Sequence, residues 1–151
     1  MSYLVDSNVM LRILHPGSPL RLKALTAIKI LLHRRATLLI CSQNEVEFWG
    51  VATRKLEANG LGMKHALADR ALRRFERIFT LVPDSPAVHE HWRELVITYA
   101  VTGRQVHDTR LAAVMLTHGI SHILTFDVDG FRRFQDIAAV HPDEITSQNI
   151  S

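Results

Sequence analysis

A single cysteine, Cys41, occurs among the 151 residues, so the chain cannot form a disulfide bond within itself. A domain of this length buries a full hydrophobic core without such a cross-link, and disulfide-free chains are typical of reducing compartments. Cys41 ends an apolar segment of the sequence, and we therefore expect it to be a small, buried core side chain.

Long hydrophobic runs are also missing from the sequence. Because the acidic residue Asp6 follows the N-terminus so closely, the chain has no apolar h-region there, and we expect no signal peptide. Apolar runs such as residues 28–32, with Lys29 inside, are far too short to cross a bilayer. These absences predict a cytoplasmic protein without a membrane-spanning segment.

Neither sign of charge dominates the sequence. Lys and Arg together number 18 and Asp and Glu 15, which gives a formal net charge of +3. This small excess is compatible with a nucleic-acid partner but does not identify one. Because no internal repeat, low-complexity segment or linker divides the chain, we predict one domain at residues 1–145, followed by a polar tail at 146–151.

Short apolar segments alternate along the chain with segments of helical periodicity. The strand-like segments are residues 3–6, 37–41, 80–82, 122–126 and 137–140. The helix-like segments are residues 20–35, 43–58, 63–79, 85–102 and 107–118, and residues 104–106 are predicted to be a loop. The alternation predicts an α/β fold with three layers, α/β/α, around a central and mostly parallel sheet of about five short strands.

Four acidic residues lie close to the ends of these segments. Asp6 and Asp127 each end a predicted strand, Glu47 lies just beyond the second strand, and Asp108 opens the last predicted helix. Because the carboxyl ends of parallel strands meet at one edge of a sheet, we expect these carboxylates to converge. Carboxylates that crowd together repel each other unless a cation lies among them, so the sequence predicts a site for a divalent metal ion.

The predicted ion is Mg²⁺ or Mn²⁺, because both prefer hard oxygen ligands. In phosphoryl transfer such ions stabilise the attacking and the leaving oxygen and make a nucleophilic water available near neutral pH. The expected reaction is therefore hydrolysis of a phosphodiester. Asp108 lies near a helix N-terminus, where the helix dipole favours a negative charge, and we expect this position to help keep it ionised.

Four segments of the chain resemble PIN-domain ribonucleases, in the order that this family has them. They are Tyr-Leu-Val-Asp-Ser-Asn at 3–8, Gln-Asn-Glu-Val-Glu-Phe-Trp at 43–49, His-Asp-Thr-Arg-Leu-Ala-Ala at 107–113 and Leu-Thr-Phe-Asp-Val-Asp-Gly-Phe at 124–131. A short, single-domain chain of this kind is most similar to the VapC-type toxins of bacterial toxin–antitoxin pairs. The resemblance implies a metal-dependent endoribonuclease with RNA as its substrate.

The resemblance also implies which residues form the active site. Asp6, Asp108 and Asp127 match three of the family's four catalytic and metal-binding acids. The remaining acid is Glu47 or Glu45, and the Glu-Phe-Trp context favours Glu47. Two residues that lie two positions apart on a helix are about 200° apart around its axis, so only one of these glutamates can face the site.

Several polar neighbours of these acids are candidates for supporting roles. Asn8 matches a polar position of the family, and we expect it to orient Asp6 or a metal-bound water through a hydrogen bond. Ser7 and Thr125 are candidates for similar work. The sequence leaves open whether Asp129 participates as a further acid.

Two kinds of protein partner follow from the same resemblance. An antitoxin is expected to cover the active site, and the small members of the family often form homodimers. Apolar and aromatic residues at 22–35 and 43–58 are candidates for either surface, and Arg110 is a candidate contact for RNA or for an acid of the antitoxin.

Two other functions remain possible from the sequence. A PIN fold that has lost catalysis would be a binding or regulatory module, although none of the expected acids is missing. A metal-dependent phosphatase of the haloacid-dehalogenase type would carry Asp-x-Asp after the first strand, whereas this chain has Asn8 at the second of these positions.

Overall fold

Five parallel strands form the central sheet of the computed structural model, which describes residues 1–147 of the chain. The strands are β1 (Ser2–Val5), β2 (Thr37–Cys41), β3 (Thr80–Val82), β4 (His122–Leu124) and β5 (Ala138–Val140), and their order across the sheet is β3-β2-β1-β4-β5. Strand β1 is central, with Leu4 paired to Leu39 of β2 and to Ile123 of β4. The predicted parallel sheet of about five short strands is confirmed.

Six α-helices cover the two faces of this sheet. They are α1 (Ser7–Ile13), α2 (Arg21–His33), α3 (Ser42–Thr53), α4 (His65–Ile78), α5 (Pro86–Thr98) and α6 (Gln105–His118). Short 3-10 helices follow at Leu56–Ala58, Val128–Phe131 and Pro142–Glu144. No helix in the described part of the chain is long and apolar enough to cross a membrane.

The strand side chains alternate between two hydrophobic cores, one on each face of the sheet. Val5 and Ile40 belong to the core that also contains Phe48 of α3 and Phe75 of α4. The alternate strand residues pack with Leu111, Met115 and other residues of α6 on the opposite face. Because both faces are covered, strands β1, β2 and β4 are apolar after their first residue, which is typical of a parallel sheet. Cys41 is buried, as predicted.

Several predicted boundaries were wrong. Helix α3 ends at Thr53 rather than near residue 58, because Arg54 adopts an extended conformation before the short 3-10 helix. Helix α6 begins at Gln105, so the predicted loop at 104–106 is largely helical. Strand β4 stops at Leu124, two residues earlier than predicted.

Helix α5 also ends earlier than predicted, at Thr98. Ala100 has a left-handed backbone conformation with φ of 50°, and the Val101 N–H donates to the carbonyl of Val96 at 3.0 Å. This is the hydrogen bond of a Schellman motif, which normally has glycine at the left-handed position. The sequence carries alanine there, so the helix end left no glycine signal. Most of the predicted polar tail, residues 148–151, lies outside the described residues.

Candidate active site

Asp6 lies at the carboxyl edge of the sheet, between the two central strands. It follows β1 directly, and its N–H donates to the carbonyl of Leu124, the last residue of β4, at 3.0 Å. Only 6% of the residue is exposed. The pKa of the Asp6 carboxyl is raised to about 6. Burial is the largest cause and the negative charge of Glu47 adds to it, while hydrogen bonds from Thr125 and Ser7 oppose the rise.

The Thr125 hydroxyl connects the end of β1 to the turn that follows β4. It donates to Asp6 Oδ2 at 2.8 Å and accepts hydrogen bonds from Asn8 Nδ2 at 3.2 Å and from the Asp127 N–H at 3.0 Å. Asn8 Oδ1 in turn accepts from the N–H of Phe126 at 3.3 Å. Thr125 is fully buried. These contacts fix the backbone of Asp127 relative to the Asp6 carboxylate.

Glu47 is held by hydrogen bonds at both of its carboxylate oxygens. Ser7 Oγ donates to Oε2 at 2.8 Å, and Gln43 Nε2 donates to Oε1 at 2.7 Å. Ser7 Oγ also lies 3.3 Å from Asp6 Oδ1, so one hydroxyl lies between the two acids. Helix α3 begins immediately after β2, where buried Asn44 accepts a hydrogen bond from the Cys41 N–H at 2.9 Å. This direct connection places the second turn of the helix, and therefore Glu47, beside Asp6.

Glu45 occupies a different environment on the same helix. The pKa of its carboxyl is raised to about 7. Burial is the largest cause, and contact with the Glu76 carboxyl of α4 adds to it. Of the two glutamates that the sequence left open, the structure therefore brings Glu47 to Asp6 and places Glu45 between α3 and α4.

Asp108 and Asp127 meet above Gly130. A Cβ atom at Gly130 would lie 2.6 Å from Asp108 Oδ2 and 3.3 Å from Asp127 Oδ2, so the absence of a side chain there leaves room for both carboxylates. Asp127 is exposed, whereas Asp108 is half-buried.

The pKa of Asp108 is raised to about 7. Burial is the largest cause, followed by the negative charges of Asp6, Asp127 and Glu47, and only Arg133 acts in the opposite direction. Asp108 does lie in the first turn of α6. The helix N-terminus favours the ionised form, but burial and the three nearby carboxylates raise the pKa of Asp108 nevertheless.

A cleft of about 420 Å³ opens beside these two acids. Its lining residues are Arg104, Gln105, Asp108, Asp127, Asp129 and Gly130. Asp129, the additional acid noted in the sequence, is exposed at this cleft and forms an ion pair with Arg132 at 2.8 Å. It thus lies near the other acids but is already neutralised by a cation of the chain.

The chemistry of this set of side chains fits a divalent cation. Four carboxylates from separate elements influence one another electrostatically, and among the described residues Arg133 is the cation that lowers the pKa of Asp108. Within residues 1–147, however, no three acidic, histidine or cysteine side chains are already arranged as a set of metal ligands. Carboxylates without a cation repel each other, and the exposed Asp127 side chain has room to reorient. The residues that could hold an ion are Asp6, Glu47, Asp108 and Asp127.

Two residues of this site were missed in the sequence. Gln43 lies one helical turn before Glu47, and that spacing of four residues was the signal that could have identified it. Gly130 left no such signal, because its role depends on the approach of Asp108 from another element.

A sequence model of the PIN domain family matches residues 3–137, which is most of the chain. A comparison with curated proteins finds no match.

The fold is similar to that of several solved structures of low sequence identity. VapBC2 from Rickettsia felis, bound to a DNA fragment from its promoter, is 16% identical with a TM-score of 0.67, over 93% of this chain and 98% of that one. VapC20 from Mycobacterium tuberculosis, described as a toxin that cleaves the sarcin-ricin loop, is 18% identical with a TM-score of 0.66, over 87% and 95% of the two chains. A toxin–antitoxin complex from Klebsiella pneumoniae is 18% identical with a TM-score of 0.63, over 93% and 97%. At these identities the similarity shows a shared fold alone.

Proposed function

The chain belongs to the PIN domain family, and from this membership we propose that it is a metal-dependent endoribonuclease that acts as the toxin of a toxin–antitoxin pair. One observation carries the proposal. Buried Asp6 and half-buried Glu47 share the hydroxyl of Ser7, and their negative charges, with that of Asp127, raise the pKa of Asp108.

The proposed ligands of Mg²⁺ or Mn²⁺ are the carboxylates of Asp6, Glu47, Asp108 and Asp127. When bound, such an ion supplies a nucleophilic water and stabilises the charge that develops on the phosphodiester. Thr125 and Ser7 orient the Asp6 carboxylate through their hydroxyls, and Asn8 orients Thr125. These contacts keep the carboxylate oxygens in fixed directions before the substrate arrives.

The RNA backbone has a basic surface available beside the acids. Arg104 lines the cleft, and Arg133 is close enough to Asp108 to lower its pKa. Arginine side chains at such a rim hold phosphate groups without reading the base sequence. We propose that this rim positions the scissile phosphate over the acidic cleft.

The proposed activity is tested by cleavage of a labelled RNA with purified protein, in Mg²⁺ or Mn²⁺ and in EDTA. We expect cleavage only with the metal, and a loss of more than about 100-fold in Asp6→Asn and in Asp108→Asn, because each removes a proposed ligand. Asp69→Asn is the matched control, since Asp69 is an exposed acid of α4 that pairs with Arg73. Cleavage in EDTA, or full activity in both site variants, would overturn the proposal.

A catalytically silent binding module is the alternative that the family membership leaves. Titration calorimetry with Mn²⁺ separates the two, because an intact acidic site binds the ion and a degenerate one does not. The phosphatase alternative receives no support, since Asn8 uses its side chain to hold Thr125 and the Phe126 N–H.

We propose that the antitoxin binds in an apolar groove between α1 and α4. The groove has a volume of about 470 Å³ and is lined by Ile13, Leu14, Met63, Leu67, Arg70, Ala71, Arg74, Phe75 and Ile78. Arg70 and Arg74 are exposed, and neither forms an ion pair with another residue of the described chain. An apolar floor beside unpaired cations fits an amphipathic helix that carries acidic residues along one side.

The groove is tested with the double variant Arg70→Glu/Arg74→Glu, co-expressed with the antitoxin encoded beside the gene. We expect the variant to lose the complex, while Arg93→Glu on α5 retains it. Equal recovery of the complex from both variants would contradict this assignment.

The homodimer remains a prediction as well. Leu22 of α2 and Val46 of α3 are 72% and 71% exposed, and both lie in segments that the sequence indicated as partner surfaces. Light scattering of the purified chain should give twice its mass of 17.1 kDa. A mass of one chain at every concentration would contradict the dimer.

A further inference from the structure

A chain of polar contacts leads from the surface to Glu47. Asp84 Oδ1 lies 3.6 Å from Arg110 Nη2, and both side chains are partly exposed. Arg110 Nη1 donates to Gln43 Oε1 at 3.0 Å, and Gln43 Nε2 donates to Glu47 Oε1 at 2.7 Å. The four side chains come from α3, α6 and the segment before α5.

The orientation of the Gln43 amide follows from its partners. Besides Glu47, its Nε2 donates to the carbonyl oxygen of His107 at 2.8 Å, so both amide protons are used by acceptors. Its oxygen faces the Arg110 guanidinium, which only donates. The reversed amide would place its oxygen against a carboxylate and a carbonyl, and its NH₂ against a cation, so only one orientation is favourable.

Gln43 therefore connects the elements that carry two acids of the site. It lies one turn before Glu47 on α3, and its second hydrogen bond ends at His107, the residue before Asp108 on α6. Ser7 holds the other oxygen of the same Glu47 carboxylate. The Glu47 carboxylate is thus held at both of its oxygens, and the Gln43 amide links it to the start of α6, which carries Asp108.

We propose that Gln43 is a positioning residue for the cation, which holds the Glu47 carboxylate ready for binding, and that Arg110 contributes only by orienting Gln43. The inference rests on the proposed function, because it assumes that Glu47 is a ligand. Arg110 then acts within the protein and not as a contact for RNA or for the antitoxin. Residues that orient metal ligands typically change metal affinity by about 10–100-fold when they are replaced.

The test is Mn²⁺ titration calorimetry of the native chain, Gln43→Met, Arg110→Met and the double variant. Methionine matches glutamine in length, is shorter than arginine, and keeps the helix propensity of both while removing their hydrogen bonds. We expect Gln43→Met to raise the Kd for Mn²⁺ by about 10–100-fold, and Arg110→Met to raise it by less. Because Arg110 acts through Gln43, the double variant should match Gln43→Met alone.

Two controls separate positioning from a general loss of structure. Gln135→Met replaces an exposed glutamine outside the site and should bind Mn²⁺ as the native chain does. Saturating Mn²⁺ should restore RNA cleavage in Gln43→Met, since its acids are intact and only their affinity for the ion is reduced.

The outcomes distinguish this inference from the proposed function. A native chain that binds no Mn²⁺ would overturn both. Native binding with an unchanged Kd in Gln43→Met would overturn the inference alone. Strictly additive effects in the double variant would contradict the part of it that assigns Arg110 to Gln43.

Discussion

Two glutamates of α3 lie two residues apart and have opposite surroundings. Glu47 receives hydrogen bonds at both oxygens, from Ser7 and from Gln43, and lies beside the buried Asp6. Glu45 lies beside Glu76, and its Oε1 is buried without a hydrogen-bond partner among the described residues. The comparison teaches that carboxylates crowded together are not sufficient for a site. Donors that hold a carboxylate in one direction distinguish a candidate ligand from an unfavourable contact.

The largest expected effect separates the two glutamates by activity. Glu47→Gln should reduce the metal-dependent cleavage of RNA by more than about 100-fold, because it removes a proposed ligand. Glu45→Gln should change the rate by less than about twofold, because its side chain is directed to α4. Initial rates on one labelled RNA measure both. Equal losses in the two variants would contradict the assignment of Glu47.

Gly130 offers a way to disturb the site without changing any acid. Gly130→Ala places a methyl group 2.6 Å from Asp108 Oδ2, so the Asp108 carboxylate must move from its present position. We expect the Mn²⁺ affinity to fall by roughly tenfold, within the range for displaced ligands. Gly50→Ala is the matched control, since a Cβ there meets no atom within 4 Å. An unchanged Mn²⁺ affinity in Gly130→Ala would show that a side chain at this position does not disturb the site.

The repulsion among the site acids should be measurable as stability. Asp108 has a raised pKa, so its favourable neutral form is lost as the pH rises through about 7. Asp108→Asn should therefore stabilise the metal-free protein at pH 8, by about 1–2 kcal/mol after allowance for partial exposure. The gain should diminish as the pH falls towards 4. Urea unfolding in EDTA measures it, and a destabilised variant at pH 8 would refute the argument.

Glu45→Gln should give the smallest change in the free energy of unfolding, with the same sign as Asp108→Asn. Its pKa is raised to about 7, so the stability of the native chain is favoured below pH 4.5 and decreases as the pH rises through 7. Glu45→Gln should add about 0.5 kcal/mol at pH 8 and less at pH 5, since the residue is only partly buried and solvent screens the repulsion. Glu90→Gln, an exposed change on α5, is the control. A gain in unfolding free energy that is larger at pH 5 than at pH 8 would contradict the expected pH dependence.

The sequence predicted the fold well because its central strands are mainly apolar and its helices are periodic. Asp6 could be placed because it ends the first strand, and the structure has it at the carboxyl edge between β1 and β4. Its role as a ligand stays a prediction. Local patterns could not show that Ala100 ends α5, because that conformation usually requires glycine.

The choice between Glu45 and Glu47 also exceeded what the sequence could decide. Helical geometry showed that only one of them faces the site, but the partners that decide which, Ser7 and Glu76, come from α1 and α4. Gly130, and the contacts of Gln43 with His107 and Arg110, join separate elements for the same reason. Such contacts depend on how helices pack, which no local spacing records.

The central claim is that Asp6 and the acids beside it bind a divalent cation, and that Glu45 and Glu76 do not. Crystals grown with Mn²⁺, measured at the manganese absorption edge, test this most directly. The account predicts an anomalous difference peak within coordination distance of Asp6 and at least one of Glu47, Asp108 and Asp127. A structure without a peak at these acids, or with its only peak between Glu45 and Glu76, would contradict it.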